Sequence, residues 1–157
     1  MTLLAVSHQP QRQESDCLAA CSAMVLDYLH VPYTYPQLLR LLQIQSFGTW
    51  FRNIQFLQSL GLTVAVGYGN VETMEMYLDV GLPVIAYVDT AFLTSYWPES
   101  TNHAVVVIGI EDERIYLNDP FFQAAPQILS LNEFLPAWIE QKQLYAVIGL
   151  TTIDTPK

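Results

Sequence analysis

Residues 103–120 read HAVVVIGIEDERIYLNDP. From Ala104 to Ile110 the run is apolar and rich in Val and Ile, and His103–Ile110 reads as a strand. Arg114–Asn118 reads as a second strand, and the charged residues Glu111–Glu113 form the turn of a hairpin between them. A three-residue loop pairs Ile110 with Arg114 and Val105 with Asp119. His103 and Asp119 then lie diagonally on one face, within reach of an aromatic side chain. A loop with an even number of residues would bring Asn118 to that face instead, because a shift of one residue reverses every side chain. Asp119 is therefore the expected partner of His103, with Asn118 the alternative.

Outward from this hairpin, further strands are predicted at Leu62–Tyr68, Val84–Val88 and Leu144–Leu150. Helices are predicted from Cys17 to about His30, after Pro36, from Thr49 to Gly61, after Asn70, and over roughly Asn132–Gln141. Helices come first and an antiparallel sheet follows, so the fold class is α+β: an N-terminal helical lobe packed on a C-terminal antiparallel β-sheet, with a cleft between them. No internal repeat or linker interrupts the 157 residues, which fit one domain spanning 1–157.

Composition excludes several functions. The chain is 52% hydrophobic and 13% charged, which excludes disorder. Its formal net charge is -9, from six basic and fifteen acidic residues. Nucleic-acid phosphates and anionic membrane surfaces need clustered Lys and Arg, so neither is an expected partner. No apolar run approaches the roughly 18 residues of a membrane span. The first residues, MTLLAVSHQPQR, lack a basic leader and a long apolar core, so no signal peptide is expected and the location is expected to be cytoplasmic.

The chemistry is expected in three places. Cys17 begins the first helix just after Asp16, a residue type that caps helices. There the helix dipole and unpaired N–H groups favour a thiolate, which makes Cys17 a candidate nucleophile. Cys21, one turn further in and surrounded by Ala and Met, reads as an inert core residue. Of the three histidines, His8, His30 and His103, the last opens an apolar strand directly after a polar loop, a suitable place for a base at the edge of solvent. Asp119 would accept the second ring proton of His103 and orient it. Gln11, on the approach to the helix, is a candidate oxyanion donor beside the Cys17 backbone N–H. Cys17 and Cys21 have too few soft ligands nearby to close a zinc site, and no cofactor is expected. Phe92, Tyr96 and Trp97, in the loop before His103, either contact a peptide or cover the sheet edge.

The run QRQESDCLAACSAMVLDYL resembles the N-terminal signature of the bacteriocin-processing cysteine peptidases, papain-like domains that cut leader peptides after a Gly-Gly pair. Gln11, Asp16 and Cys17 match its Gln, five residues, Cys pattern with Asp before the Cys. An apolar strand opened by His and a following strand ending in Asp-Pro match HAVVVIGIEDERIYLNDP. The resemblance covers about Gln11 to Val147. It implies a papain-like fold, nucleophile Cys17, base His103, orienting acid Asp119, oxyanion donor Gln11, and a peptide or protein substrate, possibly a leader peptide. Family members usually carry Gly after the nucleophile; this chain has Leu18, which either narrows the cleft or packs into the helical lobe. The sequence holds no transporter half and looks like the stand-alone members. Acyl transfer on the same fold and a non-catalytic peptide-binding module are the alternative functions.

Overall fold

A computed structural model describes residues 3–151, so the extreme ends of the expected 1–157 domain lie outside the described residues. The first helix, α1, spans Cys17–Tyr28, and every residue from Leu18 to Leu26 is buried. Its small residues (Ala19, Ala20, Cys21, Ser22, Ala23) let neighbouring elements approach from all sides, so α1 lacks the polar stripe of a surface helix. Thr34 and Gln37 form a capping box at the start of α2, Tyr35–Leu41, where Pro36 occupies the first turn. Residues Phe51–Leu60, expected as an α-helix, form a 3-10 helix that ends at Gly61. Gly61 has φ 82°, a left-handed conformation that a side chain would strain. Asn70 and Thr73 cap α3, Val71–Asp79. Ser130 caps α4, Leu131–Ile139.

Among the described residues, six strands make one antiparallel sheet: β1 Leu62–Tyr68, β2 Val84–Asp89, β3 Asn102–Glu111, β4 Arg114–Asn118, β5 Gln127–Ser130 and β6 Leu144–Leu150. Their order is β1-β6-β2-β3-β4-β5. Strand β3 is buried on both faces. Ala104, Val106 and Ile108 join the core under α1 and α2. Val105, Val107 and Ile110 join a second core with Phe134 and Trp138 of α4 and Met74 of α3. This two-sided burial explains why the run from Ala104 to Ile110 shows no polar alternation. It also refines the expected picture, because helices cover both faces of the sheet rather than one. The sequence reading missed β5, a four-residue edge strand, and a single 3-10 turn at Thr90–Phe92.

The register of the β3–β4 hairpin corrects the expectation in one respect. Its loop has two residues, Asp112 and Glu113, between paired Glu111 and Arg114. Both loop residues have positive φ, 53° and 61°, as a tight turn matching strand twist requires. Such an even loop alone would turn Asn118 to the His103 face. A β-bulge intervenes: Gly109 pairs with Tyr116, but Val107 pairs with Leu117, leaving Ile108 as an extra residue. Beyond the bulge Val106 pairs with Asn118, so Asp119 returns to the face of His103. Loop and bulge are each a departure of one residue, and they cancel.

Leu18 is 2% exposed and belongs to the core under α1. Leu18→Gly should destabilise the protein by about 3–5 kcal/mol, from lost burial, a cavity and glycine inside a helix. Urea denaturation reads this directly; a change below about 1 kcal/mol would mean that Leu18 is not packed as described.

Candidate active site

The N-terminus of α1 and the start of β3 meet at one end of the sheet. A cavity of about 240 Å³ lies there, lined by Cys17, His103, Gln11, Asn102, Trp97 and Phe121, with Glu14 and Glu99 also on its wall. Cys17 is partly exposed, whereas His103 is buried at 3% exposure. His103 Nε2 lies 2.7 Å from Oδ1 of Asp119, whose side chain has no solvent exposure. That contact leaves the other ring nitrogen, Nδ1, unengaged by Asp119. Asn118, the alternative acid position, faces elsewhere: its Nδ2 donates to the Val6 carbonyl at 2.9 Å.

The electrostatics follow from burial and these contacts. Burial by itself pushes the imidazole pKa down. Hydrogen bonds to Asp119 and Cys17, together with their charges, outweigh it and hold His103 up at about 9. Burial also pushes Asp119 up, but the bond and charge of His103, the Trp97 indole and the Phe121 amide win, and its pKa lies below the ordinary carboxylate range. The site therefore favours a cationic ring against an anionic acid. Cys21 is fully buried, and its Sγ donates to the Ala104 carbonyl at 3.4 Å. Burial first, then the Cys17 and Asp119 charges, push its pKa well above the usual thiol value.

The sequence profile of the peptidase C39 family matches residues 5–145. The chain belongs to the peptidase C39 family. It is a papain-like cysteine peptidase. Solved C39 structures share its fold at low sequence identity. A C39-like protein from Bacillus anthracis superposes with a TM-score of 0.77 at 16% identity, covering 100% of each chain. The peptidase domain of Streptococcus ComA, a bifunctional ABC transporter of a quorum-sensing pathway, gives a TM-score of 0.76 at 20% identity, covering 93% of this chain and 99% of that one. A double-glycine-motif protease from an AMS/PCAT transporter, solved with its leader peptide, gives 0.71 at 19% identity over 95% and 94% of the two chains. No curated protein matches at the significance required.

Within this C39 peptidase, two expected residues sit differently from their simplest reading. Asp16 stands at the N-cap of α1 but makes no side-chain capping bond. Its buried carboxylate instead accepts from the Tyr35 hydroxyl at 3.1 Å, and Arg12 stacks over the Tyr35 ring at 3.9 Å. The capping expectation is therefore corrected: an Asp before a helix can serve α2 as readily as its own helix. Gln11 lines the cavity, but its Nε2 donates to the carbonyls of Gln13 at 2.9 Å and Glu14 at 3.0 Å, while its buried Oε1 has no partner.

The other histidines stay out of the cavity. His8 contacts the Phe122 carbonyl at 2.6 Å and His30 is exposed beyond α1. No group of three or more His, Cys, Asp or Glu among the described residues is arranged to hold a metal. The aromatic loop has a role that sequence reading left open between two options. Trp97 is buried edge-on to His103, and both it and Tyr96 donate to Asp119 Oδ2 at 2.8 Å, while Phe92 stays exposed. A Trp and a Tyr within seven residues of a candidate histidine were the available signal, since both carry donors suited to a buried acid.

A histidine with a raised pKa gives a signed expectation. Relative to an unfolded pKa near 6.5, the raised pKa of His103 contributes stability that is full below about 6.5 while Asp119 stays ionised, and that is lost as pH rises through about 9. An NMR titration of the His103 ring protons should show a midpoint near 9, falling clearly in an Asp119→Ala variant. A midpoint near 6.5 in both proteins would contradict the pair.

Proposed function

We propose that Cys17, His103 and Asp119 form the catalytic triad and cleave a peptide bond through an acyl-enzyme. The observation that carries this reading is the buried His103–Asp119 contact opening onto the same cavity as the partly exposed Cys17 at the start of α1. The Cys17 thiolate attacks the scissile carbonyl, the C–N bond breaks, and His103 delivers its proton to the leaving amine. Water then attacks the thioester, gives its proton to His103, and releases the acid and the thiol. Asp119 keeps the ring oriented with Nδ1 towards the sulfur and balances its charge.

The backbone N–H of Cys17 and the side-chain amide of Gln11 are the proposed oxyanion donors. The position of Gln11 on the cavity wall supports this role. Its Nε2 would exchange a loop carbonyl for the oxyanion as substrate binds, because catalytic hydrogen bonds often tighten only in the complex.

The proposed substrate is a polypeptide, and the leader-peptide complex of the similar AMS/PCAT protease supports a leader peptide as one candidate. A second cavity of about 520 Å³, walled by Trp50, Phe51, Tyr87 and Leu144, shares Asn102 with the catalytic one and offers room for apolar side chains further along the chain. Among the described residues, Glu14 and Glu99 supply the charged side chains on this cavity wall besides the proposed catalytic groups, so acidic residues beside the scissile bond should be disfavoured. Leu18, buried and absent from the cavity wall, gives no support to a binding module without catalysis. No helix among the described residues is long and apolar enough to cross a membrane; a cytoplasmic, single-domain enzyme is part of this proposal.

Peptide-library cleavage followed by mass spectrometry tests the reading. Cleavage should vanish in Cys17→Ala and persist in Cys21→Ser. Gln11→Ala should lower kcat by about 100-fold with little change in KM, as expected for a lost oxyanion donor. Cleavage that survives Cys17→Ala would sink the triad; a Gln11→Ala effect confined to KM would remove Gln11 from the oxyanion hole.

A further inference from the structure

Four donors converge on the Asp119 carboxylate, two for each oxygen. Oδ1 accepts from His103 Nε2 at 2.7 Å and from the Phe121 backbone N–H at 3.0 Å. Oδ2 accepts from the Tyr96 hydroxyl and the Trp97 indole N–H, both at 2.8 Å. These donors are not equivalent. A tyrosine hydroxyl can rotate and accept instead, whereas a backbone N–H and an indole N–H can only donate. Each carboxylate oxygen thus faces one donor that cannot reverse.

An asparagine here would have one acceptor oxygen and one NH₂ group. With its NH₂ at the Oδ1 position it meets the Phe121 N–H. With its NH₂ at the Oδ2 position it meets the Trp97 indole. We propose that Trp97 is a positioning residue that, together with the Phe121 N–H, makes this place in the triad specific for a carboxyl group and excludes an amide. It acts through Asp119 on the orientation of His103.

The indole is held where it is. It stacks on Phe121 at 4.4 Å between ring centroids and is buried. Its loop is closed at the base by Thr90, whose hydroxyl donates to the Glu99 carbonyl at 2.8 Å and accepts from the Thr101 N–H at 2.8 Å. The Ser95 N–H also donates to Glu133 of α4 at 3.0 Å. Swinging the indole away from an amide would break this set of contacts.

The proposal rests on the triad reading above, so its test uses readouts that need no substrate: the thermal midpoint and the rate of Cys17 alkylation by iodoacetamide. Asp119→Asn should lower the midpoint by several degrees and slow alkylation by about tenfold, because two fixed donors then compete for one acceptor. Adding Trp97→Phe should recover part of both losses, although Trp97→Phe alone in the wild-type background lowers both. Adding Tyr96→Phe should give no recovery, since that hydroxyl can already accept from the amide. Additive losses for Asp119→Asn with Trp97→Phe would overturn the proposal, leaving Trp97 as packing alone. Equal recovery from Tyr96→Phe would also overturn it, because the gain would then come from loosening the loop. Should Asp119→Asn not fold, the same cycle in Asp119→Ala reads the relief of an indole left without an acceptor. Failure of the triad reading has a separate signature: alkylation indifferent to Asp119→Asn while the midpoints still couple.

Discussion

A carboxylate with no exposure is unfavourable unless its lone pairs are filled, and the hydrogen bonds that fill those of Asp119 organise this end of the molecule. They draw together the start of β3 through His103, the aromatic loop through Tyr96 and Trp97, and the turn after β4 through Phe121. That turn in turn fixes the N-terminal segment, because the Gln11 backbone N–H donates to the Pro120 carbonyl at 2.7 Å. The segment leads directly into α1 and Cys17. One buried acid thereby couples three neighbouring segments between Tyr96 and Phe121 and, through Pro120, the distant N-terminal segment.

The side of the proposed nucleophile, Cys17, is built by different means. Helix α1 is held by packing on every side, and its small residues bring it close enough to the sheet for Cys21 to reach the backbone of β3. Asp16 ties the helix entry to Tyr35 at the start of α2. Two cysteines one turn apart consequently have unlike surroundings: one partly exposed at a helix terminus facing an imidazole, the other sealed in a core. Rigid placement of this kind is what a covalent mechanism requires, since small displacements of reacting groups are costly.

Much of the arrangement was legible in the sequence because it rests on local patterns. Strands Leu62–Tyr68, Arg114–Asn118 and Leu144–Leu150 emerge at their expected limits, and Gly61 and Asn70 punctuate the chain as their residue types imply. The His103–Asp119 pairing was also expected, but the supposed three-residue loop is a two-residue loop followed by a bulge at Ile108. Gly109 in VVVIGI is a local hint of that bulge, but either face of β3 meets a core, so no polar alternation reveals the slip. Contacts between distant segments were not legible either. Asp16 reads as a cap until Tyr35 is seen beside it, and the donors of Gln11 read as free until its loop carbonyls are in place. Tyr96 and Trp97 carried a signal of chemistry without an address, because the length of their loop hides where it folds back.

The proposed pairing of Cys17 with His103 sets apart two cysteines that lie one helical turn from each other. The most direct measurement is the alkylation of both cysteines by iodoacetamide at about pH 6, well below the ordinary thiol pKa near 8.5, resolved by mass spectrometry of the labelled peptides. The account predicts rapid modification of Cys17, almost none of Cys21 in the folded protein, and a marked slowing at Cys17 in His103→Ala. Equal, slow labelling of both cysteines, unchanged by His103→Ala, would contradict it.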